Sequence, residues 1–184
     1  MRFLALPFCL ISASAAWAQK DRVAIVEENG VVLSCPRGEE WKAKVEDVSF
    51  TDGSKAKAAF VEHKMEDLKI WVLVQADPDR KGFKPLKEIA ESILEEPKKK
   101  DKAKVRKNAA AKFPGAGGPS AWYLEVEWEE SNAKKVKREW LFIDKANQGL
   151  CRVMIDCPDD IHTKFQAQIQ FVLAAMQVVK VKKK

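Results

Sequence analysis

Histidine and tyrosine are scarce in this chain of 184 residues: two histidines, His63 and His162, and one tyrosine, Tyr123. Two histidines far apart in sequence give a metal site or a catalytic triad little to work with, and no G-x-S-x-G elbow supports a serine nucleophile. Glycine and proline number eight each, which excludes a collagen-like or low-complexity chain. The cluster Gly115-Ala116-Gly117-Gly118 lacks the preceding strand, the following helix and the lysine-serine pair of a phosphate cradle, so it reads as a turn. Beyond residue 18 no apolar run approaches the roughly 20 residues needed to span a bilayer. No catalytic residue and no cofactor follow from the sequence.

What is present begins with an address. Residues 1–18, MRFLALPFCLISASAAWA, carry Arg2, a short apolar run and the A-x-A signal Ala16-Trp17-Ala18. That is the form of a secretory signal peptide, so a mature chain starting near Gln19 is expected in the periplasm or outside the cell, with no transmembrane segment. Cleavage removes Arg2 and Cys9, taking the charge from +6 to +5 and leaving Cys35, Cys151 and Cys157. An odd number of cysteines permits at most one internal disulfide. Cys35 and Cys157 each end a strand-like run just before a proline, and they are the expected pair, with Cys151 buried.

Periodicity then orders the elements. Short β-rich runs flank Asn29-Gly30, a hairpin signal, and two more (44–50 and 56–63) flank Asp52-Gly53. Residues 68–76 are apolar on both faces, as in a central strand. Leu86, Ile89, Ala90, Ile93 and Leu94 recur at spacings of three and four, so a helix is predicted over 85–95, stopped by Pro97. Residues 97–120 read as a lysine-rich flexible loop. Over 121–130 the alternation sets Trp122, Leu124, Val126 and Trp128 on one face, and 136–143 is the expected hairpin partner, with Trp122 opposite Phe142 and Trp128 opposite Val136. A strand over 149–156 follows, then a helix capped by Asp159 or Asp160 with the stripe Ile161, Phe165, Ile169, Val172, Leu173 and Met176. The fold class is α+β, an antiparallel sheet covered by two helices, in one domain over 19–179 with a basic tail at 180–184.

The run Gly30-Val31-Val32-Leu33-Ser34-Cys35-Pro36, followed by Trp41, resembles the opening of the PsbP-like family, the α/β/α sandwich shared with Ran-binding Mog proteins and periplasmic DcrB-like proteins. Residues 121–128, 137–143, 151–155 and the closing helix follow that family's order of elements. The resemblance spans about residues 23–178 and implies a non-enzymatic accessory or binding module with no shared active site to carry over.

Two sets of residues are candidates for function. Lys98, Lys99, Lys100, Lys102, Lys104, Arg106 and Lys107, against Asp101 alone, give a local charge of +6. With the tail removed as well, the rest of the mature chain is acidic by five. Such a run suits a protein partner or an anionic membrane surface; nucleic acid is disfavoured because no aromatic residue interleaves with the lysines. Trp41, after a proline turn, is a further candidate for partner contact. The segment Asp156–His162 offers Asp159, Asp160 and His162 as metal ligands, although a strand end and a helix cap explain the same residues. The favoured function is an exported accessory or binding protein of the cell envelope, acting through a sheet face or its basic segments. The alternative is an envelope hydrolase or metal-dependent enzyme using the DCPDDIH segment.

Overall fold

The computed structural model describes residues 22–49, 55–76, 82–115, 117–145 and 147–181. The predicted leader with Cys9, the Asp52-Gly53 turn and the lysines at 182–184 lie outside the described residues.

Alternating side chains build two antiparallel sheets. A small one has the order β1-β2-β10, from β1 (Val23–Val26), β2 (Val31–Ser34) and β10 (Gln177–Val178). A large one has the order β3-β4-β5-β9-β8-β7-β6. Its strands are β3 (Trp41–Ser49), β4 (Lys55–His63), β5 (Lys69–Ala76), β6 (Lys104–Lys112), β7 (Ser120–Glu130), β8 (Ala133–Asp144) and β9 (Gly149–Asp156). The helices are α1 (Leu86–Lys98), α2 (Asp159–Lys164) and α3 (Gln166–Ala175). The α+β expectation holds.

Both faces of the large sheet are buried, which is why its central strands are apolar on successive residues. Ala59, Val61, Ile70, Val72, Cys151, Val153 and Ile155 face the small sheet and α3 in the larger core. There Ile169, Val172 and Leu173 are fully buried, and truncating such a side chain to alanine costs about 2–5 kcal/mol. On the opposite face α1 sets Ala90 and Leu94 against Leu124, Val126, Leu141 and Leu150. Gly30 closes the small sheet. Its φ is +72°, and a Cβ there would lie 2.0 Å from the Val179 carbonyl oxygen, so only glycine lets β10 dock.

Four expectations change. The segment 97–120 is not a flexible loop throughout: it holds β6, an edge strand paired to β7 from Lys104 opposite Glu127 to Lys112 opposite Ser120. Its lysines are tolerated because an edge strand needs only one partner and charge there blocks further pairing. The β7–β8 register is shifted by one: Trp122 faces Leu141 and Glu125 faces Arg138. A two-residue turn sets it, with Ser131 at φ 51° and Asn132 at φ 64°. Helix α1 runs through Pro97 and ends one residue later, so the proline removes one N–H bond to the preceding turn without stopping the helix before it. The closing helix breaks at Phe165 (φ −106°, ψ 19°), and Pro158, not an aspartate, stands at its N-cap without a side-chain cap. Phe165 turns into the core against His63 (4.7 Å between ring centres) and Trp41 (5.8 Å).

Candidate functional site

The DCPDDIH segment forms a lock. Asp159 takes two hydrogen bonds from Arg106, Nη1 to Oδ1 at 2.9 Å and Nη2 to Oδ2 at 2.6 Å. Arg138 Nη2 donates to the same Oδ1. Arg106 also reaches Glu125 Oε1 at 3.0 Å and pairs with Glu127, and the Tyr123 hydroxyl donates to Glu125 Oε2 at 2.7 Å. The Arg106 guanidinium beside Asp159 holds that carboxyl down to about 2, against the opposing effect of burial. His162 is pushed below its ordinary value, first by burial and then by the Arg138 charge. Asp160 is exposed. A carboxylate already shared by two guanidiniums is a poor cation ligand, and no cluster of three or more potential metal ligands occurs among the described residues.

The basic run is largely spoken for within the chain. Lys98 and Lys99 pair with Glu95 (3.5 Å) and Glu96 (2.9 Å). Lys100 lies 4.1 Å from the centre of the Trp128 ring, and Lys107 lies 5.4 Å from that of Tyr123. Lys102 reaches Glu129 at 2.5 Å, Lys104 stands opposite Glu127 in the ladder, and Arg106 belongs to the Asp159 lock. Trp41 is 4% exposed, its ring edge-on to His63, so it is a core residue and not a surface contact. Cys35 and Cys157, at the ends of β2 and β9, are buried in one cluster, and no disulfide joins them.

The other face of the large sheet holds a cleft. Helix α1 packs over β6, β7 and β8 and leaves a gap of about 210 Å³ beside β5 and β9. Ile89, Ile93 and Leu150 are its apolar walls; Gln75, Lys84, Glu88, Ser92 and Arg152 are its polar groups. Arg152 Nε donates to Glu139 Oε1 at 2.6 Å, and Glu139 is 1% exposed. Lys137 Nζ lies 3.2 Å from Oε2, an ion pair off the hydrogen-bond direction that leaves this oxygen without a hydrogen bond. Burial opposes ionisation of Glu139, but Lys137 and Arg152 outweigh it and keep the carboxyl below its ordinary value. Sequence reasoning missed this site. Its signals were Arg152 interrupting the otherwise apolar run 149–155, and Lys84, Glu88 and Ser92 spaced four apart beside Ile89 and Ile93.

No family model and no curated protein matches the chain. Its structure is similar to the solution structure of cyanobacterial PsbP (CyanoP) from Synechocystis sp. PCC 6803, with a TM-score of 0.58 at 12% identity, over 92% of this chain and 98% of that one. It is also similar to the crystal structure of LpqN, involved in cell envelope biogenesis of Mycobacterium tuberculosis, with a TM-score of 0.51 at 10% identity, over 93% of this chain and 99% of that one. The chain therefore has the PsbP-like fold, as the glycine-strand-proline-tryptophan opening led one to expect. Among the described residues no helix is long and apolar enough to cross a membrane.

Proposed function

We propose that the chain is an exported accessory protein of the cell envelope that works by binding, without catalysis, and that it binds on the sheet face carrying α1. The observation that carries this reading is the cleft beside α1, where charged groups and apolar walls converge on unfilled space. The basic run is the weaker candidate surface, because its cations already face acids or aromatic rings of the same chain. The signal-like residues 1–18 support export, and one protein of similar fold is described as involved in cell envelope biogenesis. The partner in this reading is a component of an envelope complex, not nucleic acid.

The test is made in the producing cell. A photo-crosslinking residue at Ser92, on the cleft, is compared with one at Lys107, on the basic strand, after fractionation and N-terminal sequencing. Expected are a mature chain beginning near Gln19 in the envelope fraction and a partner captured from Ser92. Retention of the full chain in the cytosol overturns export, and capture from Lys107 alone overturns the choice of face.

A further inference from the structure

We propose that the cleft between α1 and strands β5 and β9 holds a small aliphatic carboxylate, its charge against Arg152 and its chain against Ile89, Ile93 and Leu150. This rests on the reading of the protein as a binding module and names the chemistry of what the cleft accepts.

Arg152 is the anchor. Its side chain is 16% exposed, and its Nε is tied to the buried Glu139 at 2.6 Å. That bond fixes the guanidinium plane while using one of its five donors. Among the described residues the two Nη groups have no hydrogen-bond partner, although they stand at a cleft wall. A guanidinium held in place with its fork open matches a carboxylate, which it can grip through two parallel hydrogen bonds.

Charge selects the sign of the ligand. Glu139 is flanked by two cations, Arg152 and Lys137, and Asp156 stands opposite Lys137 in the ladder, so the balance of charge is decided by the cleft lining. Lys84 adds a further cation to the lining, and among its described residues Glu88 is the acid that opposes Lys84 and Arg152, which leaves those residues with one positive charge in surplus. An ammonium would meet that surplus directly, whereas a carboxylate offsets it in a region partly withdrawn from water.

Shape selects the remainder. Ile89 and Ile93 lie one turn apart on α1 and face Leu150 across the gap, giving an apolar channel with the guanidinium beside it. At about 210 Å³ the space is below the roughly 300–1,000 Å³ of sites for drug-sized molecules, so a short chain fits and a long acyl chain does not.

The experiment is calorimetric titration of the purified mature chain with butanoate, hexanoate and dodecanoate, with hexanol and hexylamine as controls for charge. Hexanoate is expected to bind saturably, and hexanol and hexylamine at least about tenfold more weakly. Arg152→Lys, which keeps the charge and loses the fork, is expected to weaken hexanoate about tenfold or more. Should that variant fail to fold, Ser92→Trp carries the test, since position 92 is exposed and the new ring fills the cleft without entering the core. Binding by hexanol equal to hexanoate overturns the proposal, as does unchanged hexanoate binding in Ser92→Trp. A peptide with a free C-terminal leucine that binds where hexanoate does not overturns it in favour of a protein terminus. Absence of binding by every acid, with crosslinks from Ser92 retained in cells, overturns this proposal and leaves the envelope-partner reading standing.

Discussion

Asp159 meets Arg106 through both carboxylate oxygens, at 2.9 and 2.6 Å, and so ties the first residue of α2 to the edge strand β6. No residue of α2 is fully buried and only Ile161 packs against the larger core, so this pair and the contact of Asp159 with Arg138 supplement a small hydrophobic anchor. A double-mutant cycle with Arg106→Gln and Asp159→Asn tests it by urea denaturation. Each single change is expected to cost about 0.5–1.5 kcal/mol, with a coupling of about 0.5–1 kcal/mol. Asp159→Asn is expected to cost more, because it also takes a counter-charge from Arg138, which is 5% exposed.

The same pair predicts how the protein responds to acid. Arg106 and Arg138 depress Asp159 in the folded state from its ordinary 3.8 to about 2. A depressed carboxyl contributes stability above its unfolded value and loses it as pH falls through the folded value. The Asp159 contribution is therefore complete above about pH 4 and gone below about pH 2. Its side chain is 44% exposed, so solvent screening reduces the contribution to about 1 kcal/mol. Thermal melts of the wild type and of Asp159→Asn should differ at neutral pH and converge near pH 2, and a constant difference across that range would contradict the assignment.

Folding of the basic run into β6 changes what its deletion means. Removing residues 98–107 deletes the last residue of α1, the connection to β6, the first four residues of that edge strand and the Arg106 anchor, and it is expected to destabilise the domain and expose part of β7 to aggregation. Neutralising Lys98, Lys99 and Lys104 together to glutamine is expected to leave the urea midpoint nearly unchanged, since exposed ion pairs contribute little. Lys100→Ala is expected to alter the intrinsic fluorescence, because the ammonium stands over Trp128 at 4.1 Å. Circular dichroism beside fluorescence separates these outcomes.

Much of this architecture was legible from alternation alone. The strand over 149–156 matches β9, and the stripe from Phe165 to Met176 is buried as expected. Alternation assigns a face, however, and not a register. The β7–β8 pairing turned on the backbone of Ser131 and Asn132, both left-handed, which residue polarity does not reveal. Residues 104–112 were misread because composition counts basic residues without seeing that Glu125 and Glu127 of β7 lie alongside to meet Arg106, and Glu129 to meet Lys102 just before the strand. The cleft was hidden for the same reason: Arg152 gains its meaning from Glu139 on the neighbouring strand, a relation fixed by pairing and not by spacing.

Burial also governs the thiols. It pushes Cys35 up to about 11 and Cys157 up to about 12, and it raises Cys151 further. The thiolate is the reactive form, so the folded protein is expected to resist alkylation at pH 8. In urea without reductant, Cys151 and Cys157 should both be labelled, as read by peptide mass spectrometry. Labelling of Cys157 only after reduction would reveal a disulfide to Cys35 in the exported protein.

The β7–β8 turn offers a gain in stability. Ser131 (φ 51°) and Asn132 (φ 64°) form a two-residue connection between Glu130 and Ala133, with both central residues in the left-handed region. That is the geometry of a type I′ turn, for which Asn-Gly is the preferred pair. Serine pays a steric cost at the first position that asparagine reduces, and glycine removes it at the second. Ser131→Asn with Asn132→Gly is therefore expected to stabilise the protein by about 0.5–1.5 kcal/mol, offset in part by the greater freedom of glycine in the unfolded chain. Asn132→Val, which forces a β-branched residue into the same conformation, should destabilise by about 1–2 kcal/mol. Equal urea midpoints for all three proteins would show that this turn does not set the register, and the pairing of Glu125 with Arg138 would then need another cause.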